Sequence, residues 1–591
     1  MKYNSKIKAL ACIITFLILN QMCMAQLPMG NVMGRSKQNL NGKWQVITDW
    51  YNRGNDISKN DTSYNKNGFR EYRFDTPTLN VPGDWNSQQP ELKYYEGTIW
   101  YRRTVNYHKT DGHRAYLYFG GASYQAEVYF NGKKLGCHEG GFTPFQFDVT
   151  SAIREGNNDL VVRVNNQRKM DGIPAMAFDW WNYGGITRDV YLIESAESYV
   201  DDYFIQLEKN SMDRIKGWVK LKGQTKKNAV VRISIPELKI NRKFQTDENG
   251  LALIDIKARL SLWSPETPKI YDVNIFSDTD TVKDRIGFRS IQVQGTEIVL
   301  NGKKIFLKGI SFHEEIPQRQ GRATNDADAE QLLKWAKDLG CNFVRLAHYP
   351  QNEHTVRMAE AMGLMMWEEI PVWQGIAFND PVLLGKAKNM LNEMVGRDKN
   401  RCGIIIWSLS NETAPSPDRN KVLKEMASIC RNLDSTRLVS SAFDHFKYNG
   451  NKIIIDDELS NSLDVLAANK YMGWYARWPS KPGDVVWESK FNKPVIMSEF
   501  GAEALYGQHG PADDMGIWSE EYQEQLYKDN ITMFKKIPFL AGVCPWILAD
   551  FRTPFRMNLK FQNGWNRKGL LSDQGEKKKA WYIMKEFYST R

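Results

Sequence analysis

Two glutamates each come shortly after a short apolar segment of the chain. Glu412 lies five residues beyond the segment 403–407, and Glu499 lies two residues beyond the segment 494–497. Both segments have the length and apolar character that predict buried strands. A carboxylate at the end of a buried strand is costly in free energy unless it has partners or a function. Two such carboxylates therefore favour a catalytic site over two separate structural acids.

A pair of carboxylates suits the cleavage of a glycosidic bond, because that reaction needs two groups with different chemical roles. One group protonates the leaving oxygen, so its pKa should be raised, and the other stays ionised to attack or stabilise C1. Carboxyls about 5–5.5 Å apart allow direct attack and retention of configuration. The chain also has 19 Trp and 26 Tyr, which fit a protein that stacks rings on sugar faces, although most such rings serve the core.

Three successive patterns of apolar and polar residues along the chain indicate the elements that must position these glutamates. The segment 40–195 has short alternating runs between turns such as Asn131-Gly132, which predicts a β-sandwich. The segment 199–293 is again rich in strands and has the length of an immunoglobulin-like sandwich. From about residue 298, helical stretches alternate with short apolar strands, and nearly 300 residues of this pattern predict a (β/α)8 barrel. Catalytic groups of such barrels lie just past the C-terminal ends of strands, where both glutamates fall.

Composition narrows the function classes. The formal net charge is +10, but Lys and Arg are scattered rather than clustered, so no nucleic-acid partner is predicted. The seven cysteines show no CxxC and no metal-ligand spacing, and buried unpaired thiols are expected. We therefore predict no metal site, and no residue pattern indicates a cofactor; the sequence leaves open whether a divalent ion assists.

The N-terminus is typical of a cleavable secretory signal at 1–25. Lys6 and Lys8 precede an apolar stretch at 9–19, and Cys23-Met24-Ala25 ends in small residues. The apolar stretch is too short for a membrane span, and no other stretch approaches the required length, so stable membrane insertion is not expected. The protein is predicted to be secreted or periplasmic.

The chain resembles glycoside hydrolase family 2, the family of β-galactosidases, β-glucuronidases and β-mannosidases. The resemblance covers nearly the whole chain after the predicted signal. Any one motif is modest support, whereas all of them in the family's order are strong support. The motifs are NYGGITR at 182–188, LWSP at 262–265, GFR at 287–289, NGK at 301–303, VRLAHYP at 344–350, RDKN at 397–400, NE at 411–412 and SEFG at 498–501.

The resemblance implies three domains and two catalytic roles. The domains would be a sugar-binding jelly-roll β-sandwich at 26–196, an immunoglobulin-like β-sandwich at 197–293 and a catalytic TIM barrel at 294–591. Glu412 would be the acid/base and Glu499 the nucleophile of an exo-acting retaining β-glycosidase.

The resemblance also implies roles for residues around the two glutamates. Asn411 would hydrogen-bond the sugar 2-OH, a contact that tightens in the transition state. Tyr471 would orient the nucleophile, and Arg345 would lie beneath it, where its positive charge would lower the pKa of that carboxyl. His313 and His348 would line the site.

The sequence GWNRKG at 564–569 bears on which sugar is cleaved. It resembles the Asn-x-Lys motif of β-glucuronidases, through Asn566 and Lys568. An ammonium and an amide can hold the C6 carboxylate of a uronic acid by charge-assisted hydrogen bonds. Tyr475 matches a tyrosine near the same carboxylate, Asp179 matches an aspartate that reaches the sugar hydroxyls, and Trp546 would form a stacking wall.

Some features depart from the glucuronidase pattern. The run 551–562 is longer than expected before the Asn-x-Lys motif, so that the alignment of Arg556 with the family's arginine is unsettled. Met472 replaces an aromatic residue. The segment after Trp373 is short, so we expect no long loop over the leaving group, which suits the end of an oligosaccharide.

Three hypotheses about the function remain open from the sequence. The first is release of terminal β-D-glucuronic acid from oligosaccharides or glucuronides. The second is a β-galactosidase of the same family acting on plant or algal polysaccharide fragments, with the Asn-x-Lys residues in an ordinary turn. The third is a carbohydrate-binding protein that has lost catalysis. The sequence leaves open a homo-oligomer and does not identify the natural polysaccharide.

Overall fold

The computed structural model describes residues 25–52, 54, 74, 77–224 and 226–591. Residues 1–24 of the predicted signal lie outside the described residues, and with them Cys12 and Cys23. The chain divides into two compact units, one of residues 1–167 and 182–199 and the other of residues 168–181 and 200–591.

The described residues of the first unit form a β-sandwich of ten strands. A six-stranded sheet has the order β3-β2-β4-β9-β6-β7, and a four-stranded sheet has the order β1-β10-β5-β8. The strands are β1 (Lys37–Asn39), β2 (Gly42–Asp49), β3 (Thr78–Val81), β4 (Thr98–Tyr107), β5 (His113–Phe119), β6 (Gln125–Phe130), β7 (Lys133–Glu139), β8 (Phe145–Asp148), β9 (Gly156–Asn165) and β10 (Val190–Ala196).

Alternating side chains build the core of this sandwich. In β6 every second residue is buried, as expected of a strand with one face on the core. Trp44, Tyr101, Phe119 and Phe145 are among the rings at the centre, each with no more than 1% of its surface exposed.

The second unit begins with an immunoglobulin-like pair of sheets. A three-stranded sheet has the order β11-β12-β15, and a four-stranded sheet has the order β14-β13-β16-β17. The strands are β11 (Tyr199–Leu207), β12 (Arg214–Lys222), β13 (Val230–Ile235), β14 (Ile240–Gln245), β15 (Leu251–Lys257), β16 (Tyr271–Phe276) and β17 (Thr281–Ile286).

The remainder of the second unit is a TIM barrel with its flanking elements. Eight parallel strands close in the order β21-β24-β25-β26-β27-β30-β32-β33. The strands are β18 (Ile291–Gln294), β19 (Glu297–Leu300), β20 (Lys303–Ile305), β21 (Leu307–Phe312), β22 (Glu315–Ile316), β23 (Gly321–Arg322), β24 (Phe343–Leu346), β25 (Met365–Glu369), β26 (Ile404–Asn411), β27 (Leu438–Phe443), β28 (Lys447–Asn449), β29 (Lys452–Ile455), β30 (Leu466–Asn469), β31 (Val486–Ser489), β32 (Val495–Glu499), β33 (Leu540–Val543), β34 (Phe551–Arg552) and β35 (Trp565–Asn566). The α-helices of the described residues are α1 (Asp326–Leu339), α2 (Glu353–Ala361), α3 (Pro381–Asp398), α4 (Pro417–Leu433), α5 (Glu520–Phe534) and α6 (Lys579–Ser589).

The predicted domain boundaries fall at identifiable places. The boundary at 196–197 lies between β10, which ends at Ala196, and β11, which begins at Tyr199. The boundary at 293–294 lies inside β18. The segment 168–181 belongs to the same compact unit as the barrel, although it precedes β10 in the chain. The exact domain limits stay a prediction.

Several barrel strands are buried along their whole length, and four of them end in polar residues. Every residue of β24, β25, β26, β30 and β32 is buried, because both faces of a parallel sheet are covered in this fold. Four of these strands nevertheless finish on Glu369, Asn411, Asn469 and Glu499. The C-terminal ends of parallel strands meet at one mouth of the barrel, so this pattern gathers polar groups there.

One buried arginine ties the strand-rich segments to the base of the barrel. Arg289, in the GFR motif, is 1% exposed and donates to the carbonyl oxygens of Cys402 (3.1 Å), Ile404 (2.7 Å) and Thr436 (2.9 Å). These contacts satisfy backbone acceptors that would otherwise be buried without a partner.

The five cysteines in the described part of the chain form no disulfide, and four of them are buried. Among the helices that the structure describes, none is both long and apolar enough to cross a membrane.

Candidate active site

A cavity of about 570 Å³ opens at the C-terminal ends of the barrel strands. Both predicted catalytic glutamates line it. The other lining residues are Ala177, Asp179, Trp180, His348, Trp373, Gln374, Asp444, Asn469, Lys470, Tyr471, Tyr475, Ala476, Trp546, Phe555, Arg556, Asn566 and Lys568. Nine of the twelve predicted site residues therefore meet in one place.

Glu499 ends β32 and is held by one cation and one hydroxyl. Arg345 donates from Nη1 to Oε1 at 2.6 Å, and the Tyr471 hydroxyl donates to Oε2 at 2.6 Å. Arg345 is wholly buried beneath the carboxylate and also binds Glu369 at 3.0 Å. Both carboxylate oxygens are thus fixed, and a carboxylate held in one orientation is suited to attack a single atom.

Glu412 follows β26 in a left-handed backbone conformation. Its φ is 52°, which for a residue other than glycine costs about 1–3 kcal/mol and is often found at functional sites. Its Oε1 accepts from Asn469 at 2.8 Å, and its Oε2 accepts from Gln374 at 2.9 Å. The side chain therefore enters the cavity with neutral amide partners, unlike Glu499, which contacts a guanidinium.

The surroundings raise the pKa of both carboxyls. Burial raises the pKa of Glu412, and the nearby Asp444 carboxyl adds to this. Burial also raises the pKa of Glu499, and the Glu412 charge adds to it, whereas Arg345 and Tyr471 lower it. Arg345 acts in the predicted direction, but desolvation outweighs it, so the net change at Glu499 is upward.

Two neighbouring carboxyls titrate as a pair, and their partners decide where a shared proton resides. Glu499 contacts the permanent charge of Arg345, which favours its ionised form. Glu412 has only amide donors and faces another acid, which favours its protonated form. The arrangement thus supplies one acid and one ionised carboxylate.

This pairing predicts a bell-shaped dependence of kcat/KM on pH. Activity falls at low pH as Glu499 gains a proton, and it falls at high pH as Glu412 loses its proton. The raised pKa of Glu499 places the acidic limb above the ordinary glutamate value of about 4.3.

Tyr471→Phe removes a donor to the ionised form, so the acidic limb should move up by about one pH unit or more. The control is Tyr506→Phe, because Tyr506 is exposed and lies outside the cavity lining. If the acidic limb of Tyr471→Phe stays where it is in the wild-type enzyme, Tyr471 does not stabilise the ionised form of Glu499.

Asn411 and Arg345 lie behind the lining of the cavity. The Oδ1 atom of Asn411 accepts from Arg345 Nη2 at 2.7 Å and from Asn469 Nδ2 at 3.0 Å. Its own amide nitrogen has no hydrogen-bond partner among the described residues. A buried donor left over in this way fits a ligand hydroxyl, and the assignment of Asn411 to the sugar 2-OH stays a prediction.

The two predicted histidines differ in position. His348 lines the cavity, stacks on Trp546 with ring centroids 4.7 Å apart, and places Nδ1 2.7 Å from Glu369. His313 does not line the cavity and lies against Trp180, Trp546 and other rings behind it. Burial lowers the pKa of both imidazoles, so both are neutral at ordinary pH.

Lys568 lies at another part of the cavity wall as a buried cation. Its ammonium donates to the Tyr475 hydroxyl at 2.6 Å and to Glu503 at 3.2 Å, and the residue is 1% exposed. Burial lowers the pKa of Lys568, but Glu503 and Tyr475 more than offset this, so the pKa is raised and the group is charged. Asn566, also lining the cavity, accepts the backbone N–H of Lys568 at 3.2 Å.

Arg556 adds a second cation beside Lys568. It donates to Asp179 at 2.8 Å and to the Tyr475 hydroxyl at 2.9 Å. Asp179 also accepts from the Thr553 hydroxyl at 2.6 Å, which fixes its orientation. The sequence left the alignment of Arg556 unsettled, and the structure brings it into the cavity from the long segment 553–562.

Several supporting residues were missed from the sequence. Glu369, Gln374, Asn469 and Glu503 each bind one of the predicted site residues. Glu369 and Asn469 carry a signal that could have found them, because each ends a buried apolar strand as Glu499 does. Gln374 and Glu503 lie in irregular segments, where sequence gives no such signal. Among the described residues, no group of three or more His, Cys, Asp or Glu side chains is arranged to hold a metal ion.

A TIM barrel that gathers two carboxylates in one cavity has the groups that a glycoside hydrolase requires. Three family models match nearly the whole chain. They are the sugar binding domain of glycosyl hydrolases family 2 at 38–196, a model described as glycosyl hydrolases family 2 at 198–289, and the TIM barrel domain of the same family at 291–590. The protein belongs to glycosyl hydrolases family 2 and is a hydrolytic enzyme.

Similar proteins are described as β-glucuronidases or as a β-galacturonidase. A putative β-glucuronidase of Formosa agariphila is 27% identical over 94% of this chain and 70% of its own length. The β-glucuronidase of Paenibacillus borealis is 26% identical over 93% of this chain and 96% of its own length. The solved β-glucuronidase of an uncultured Clostridium species is 27% identical, with a TM-score of 0.81 over 96% of this chain and all of the other. A β-galacturonidase of Eisenbergiella tayi, solved with galacturonate, is 25% identical, with a TM-score of 0.79 over 94% of this chain and 98% of the other.

Proposed function

We propose that this enzyme is an exo-acting retaining β-glucuronidase that releases terminal β-D-glucuronic acid from oligosaccharides or glucuronides. The observation that carries the proposal is Lys568, a buried charged lysine on the wall of the cavity that holds Glu412 and Glu499. A neutral hexose gives this ammonium no anionic partner, whereas the C6 carboxylate of a uronic acid does. Similar proteins described as β-glucuronidases support the same assignment.

In the first step of the proposed reaction, Glu499 attacks C1 of the sugar while Glu412 protonates the leaving oxygen. The bond from C1 to the leaving oxygen breaks as the bond from C1 to the Glu499 carboxylate forms. The proton moves from Glu412 to the departing alcohol, which leaves Glu412 ionised.

In the second step, Glu412 acts as a base. It takes a proton from water as the water oxygen attacks C1, and the bond to Glu499 breaks. The sugar leaves with its β configuration retained, and both carboxyls return to their starting states. Arg345 and Tyr471, which contact Glu499, stabilise its negative charge when it is displaced.

A panel of nitrophenyl glycosides tests the proposed substrate. We expect kcat/KM for β-glucuronide to exceed that for β-galactoside by at least about 100-fold, because only the glucuronide offers the Lys568 ammonium a second anionic partner beside Glu503. β-Galacturonide, which differs from the glucuronide only at C4, tests whether the cavity reads more than the carboxylate. Faster turnover of galactoside than of glucuronide would overturn the proposal.

We also propose that the protein is exported, on the basis of its basic and apolar N-terminal segment. Export would place the enzyme where it meets extracellular carbohydrate. N-terminal sequencing of the mature protein from its source tests this, with a start near residue 26 as the expected result.

A further inference from the structure

A second cavity of about 680 Å³ lies beside the active site. The start of α4, the segment that follows β27 and the residues after β29 form its walls. We call it the basic cleft, defined by Lys421, Lys424, His445, Phe446 and Lys447.

Two contacts connect the basic cleft to the catalytic cavity. Asp444 lines the catalytic cavity, and its carboxylate lies 2.7 Å from Nδ1 of His445 in the cleft. Lys470 also lines the catalytic cavity, and its ammonium lies 5.6 Å from the ring centroid of Phe446 in the cleft. The two cavities therefore meet along these pairs of residues.

The basic cleft adjoins the part of the catalytic cavity that holds the acid/base. Glu412 delivers its proton to the leaving oxygen, and the chain continues from it to the residues Pro415, Ser416 and Pro417 that line the cleft. Asp444, the acid that raises the pKa of Glu412, is the neighbour of His445. A sugar joined to the leaving oxygen would thus extend from the acid/base toward the cleft.

The lysines and acids of the cleft differ in their partners. Lys421 and Lys424 lie one turn apart on α4, are exposed, and have no ion pair among the described residues. Asp456 binds Lys447 at 2.5 Å and Lys490 at 3.2 Å, and Asp457 binds the buried Arg419. These two acids are already neutralised.

Glu458 is the remaining acid of the cleft, and the Asn420 amide donates to it at 3.4 Å. The exposed ammoniums of Lys421 and Lys424 outnumber this single acid. Lys470, on the catalytic cavity side, adds a further cation beside Phe446 of the cleft.

We infer that the basic cleft binds an anionic group, a sulfate ester or a carboxylate, on the sugar at the leaving side of the cleaved bond. The inference rests on the proposed function and extends it to the substrate class: glucuronosyl oligosaccharides that are charged on both sides of the scissile bond. Unpaired lysine ammoniums bind either oxyanion by charge-assisted hydrogen bonds.

Three matched disaccharides test the inference, each with a terminal β-glucuronosyl residue. Their leaving sugars are neutral, sulfated or oxidised to a uronic acid. In low salt we expect the wild-type enzyme to cleave at least one charged disaccharide with a kcat/KM about tenfold or more above the neutral one. The preference should shrink in about 0.5 M salt, because screening weakens exposed charge pairs.

The variant Lys421→Gln/Lys424→Gln should lose this preference, mainly through KM, while its turnover of nitrophenyl glucuronide changes less than twofold. We expect that small leaving group to stop short of the cleft. The control Lys209→Gln/Lys535→Gln removes two exposed lysines elsewhere and should keep the preference. The sulfated and carboxylated arms show which oxyanion the cleft prefers.

Two kinds of failure are distinguishable. An enzyme that cleaves nitrophenyl glucuronide but treats the three disaccharides alike, or a cleft variant that keeps the preference, overturns the basic cleft alone. An enzyme that cleaves no glucuronide at all overturns the proposed function and the cleft with it.

Discussion

Replacing Glu499 by Gln lowers kcat on nitrophenyl glucuronide by on the order of 10⁴-fold or more. The amide has nearly the volume of the carboxylate, but it cannot attack C1. It also leaves Arg345, which is wholly buried, with only Glu369 as its anionic partner. Steady-state kinetics measure the loss, and circular dichroism shows whether the variant is folded.

Glu412→Gln is the matched control for this result, because it removes a proton donor rather than a nucleophile. A nitrophenolate leaves without much help from an acid, whereas a sugar alkoxide requires protonation. The loss in kcat/KM should therefore be much smaller for nitrophenyl glucuronide than for a glucuronosyl disaccharide. Equal losses on both substrates would contradict the assignment of Glu412 as acid/base, and near-normal activity of Glu499→Gln would contradict that of Glu499.

Replacing Lys568 by Met lowers kcat/KM for glucuronide roughly 30-fold to 1,000-fold. This corresponds to a loss of about 2–4 kcal/mol of transition-state stabilisation. Methionine keeps an unbranched chain in the buried position but removes the charge that meets the C6 carboxylate. Activity on β-galactoside should be unchanged or higher, since the neutral sugar has no use for the ammonium. The ratio of the two kcat/KM values therefore reports the loss of charge recognition.

Removing Lys568 also leaves Glu503 without its closest cation. Burial raises the pKa of Glu503, and Lys568 is the leading influence that lowers it. The variant should accordingly unfold at a lower temperature, because the remaining cation near this buried acid, Arg556, lies farther away at 3.8 Å. Lys560→Met, an exposed lysine of the neighbouring segment, is the control. An equal fall on glucuronide and galactoside would mean that Lys568 supports structure and not specificity.

The barrel and its two carboxylates could be predicted because an uninterrupted apolar run begins each of the strands that lead to them, at 404–407 in β26 and at 495–497 in β32. β26 and β32 are buried at every position, so an acid at or just beyond their ends stands out in the sequence. Parallel strands of a barrel bring such ends to one mouth, which is why Glu412 and Glu499 meet.

Two features of the site could not be predicted in the same way: how deeply a side chain lies behind the cavity lining, and which of several opposing effects dominates the pKa of a buried group. Asn411 and His313 have the residue types of a binding site, but packing places both behind the lining of the cavity. The positive charge of Arg345 alone predicts that it lowers the pKa of Glu499. Burial raises that pKa by more, and this larger effect depends on the folded surroundings of the carboxyl. Arg556 reaches the site from an irregular segment, where no periodicity fixes the position of a side chain.

The backbone at Glu412 shows a further limit of sequence patterns. Its positive φ is unusual for a glutamate, and nothing in the residues around it predicts this. The conformation is anchored by the backbone N–H of Glu412, which donates to the carbonyl of Ala442 at 2.9 Å. Neighbouring strands of the closed barrel thus hold the acid/base in an orientation that a free chain rarely adopts.

The most direct test is to trap the sugar on the enzyme. A 2-deoxy-2-fluoroglucuronosyl fluoride should react once, because the fluorine at C2 slows both steps and the good leaving group restores the first. Mass spectrometry of peptides should then find the sugar bonded to Glu499, with no label from the corresponding galactosyl reagent. Labelling of another residue, or an active enzyme that the galactosyl reagent labels more readily, would contradict the account.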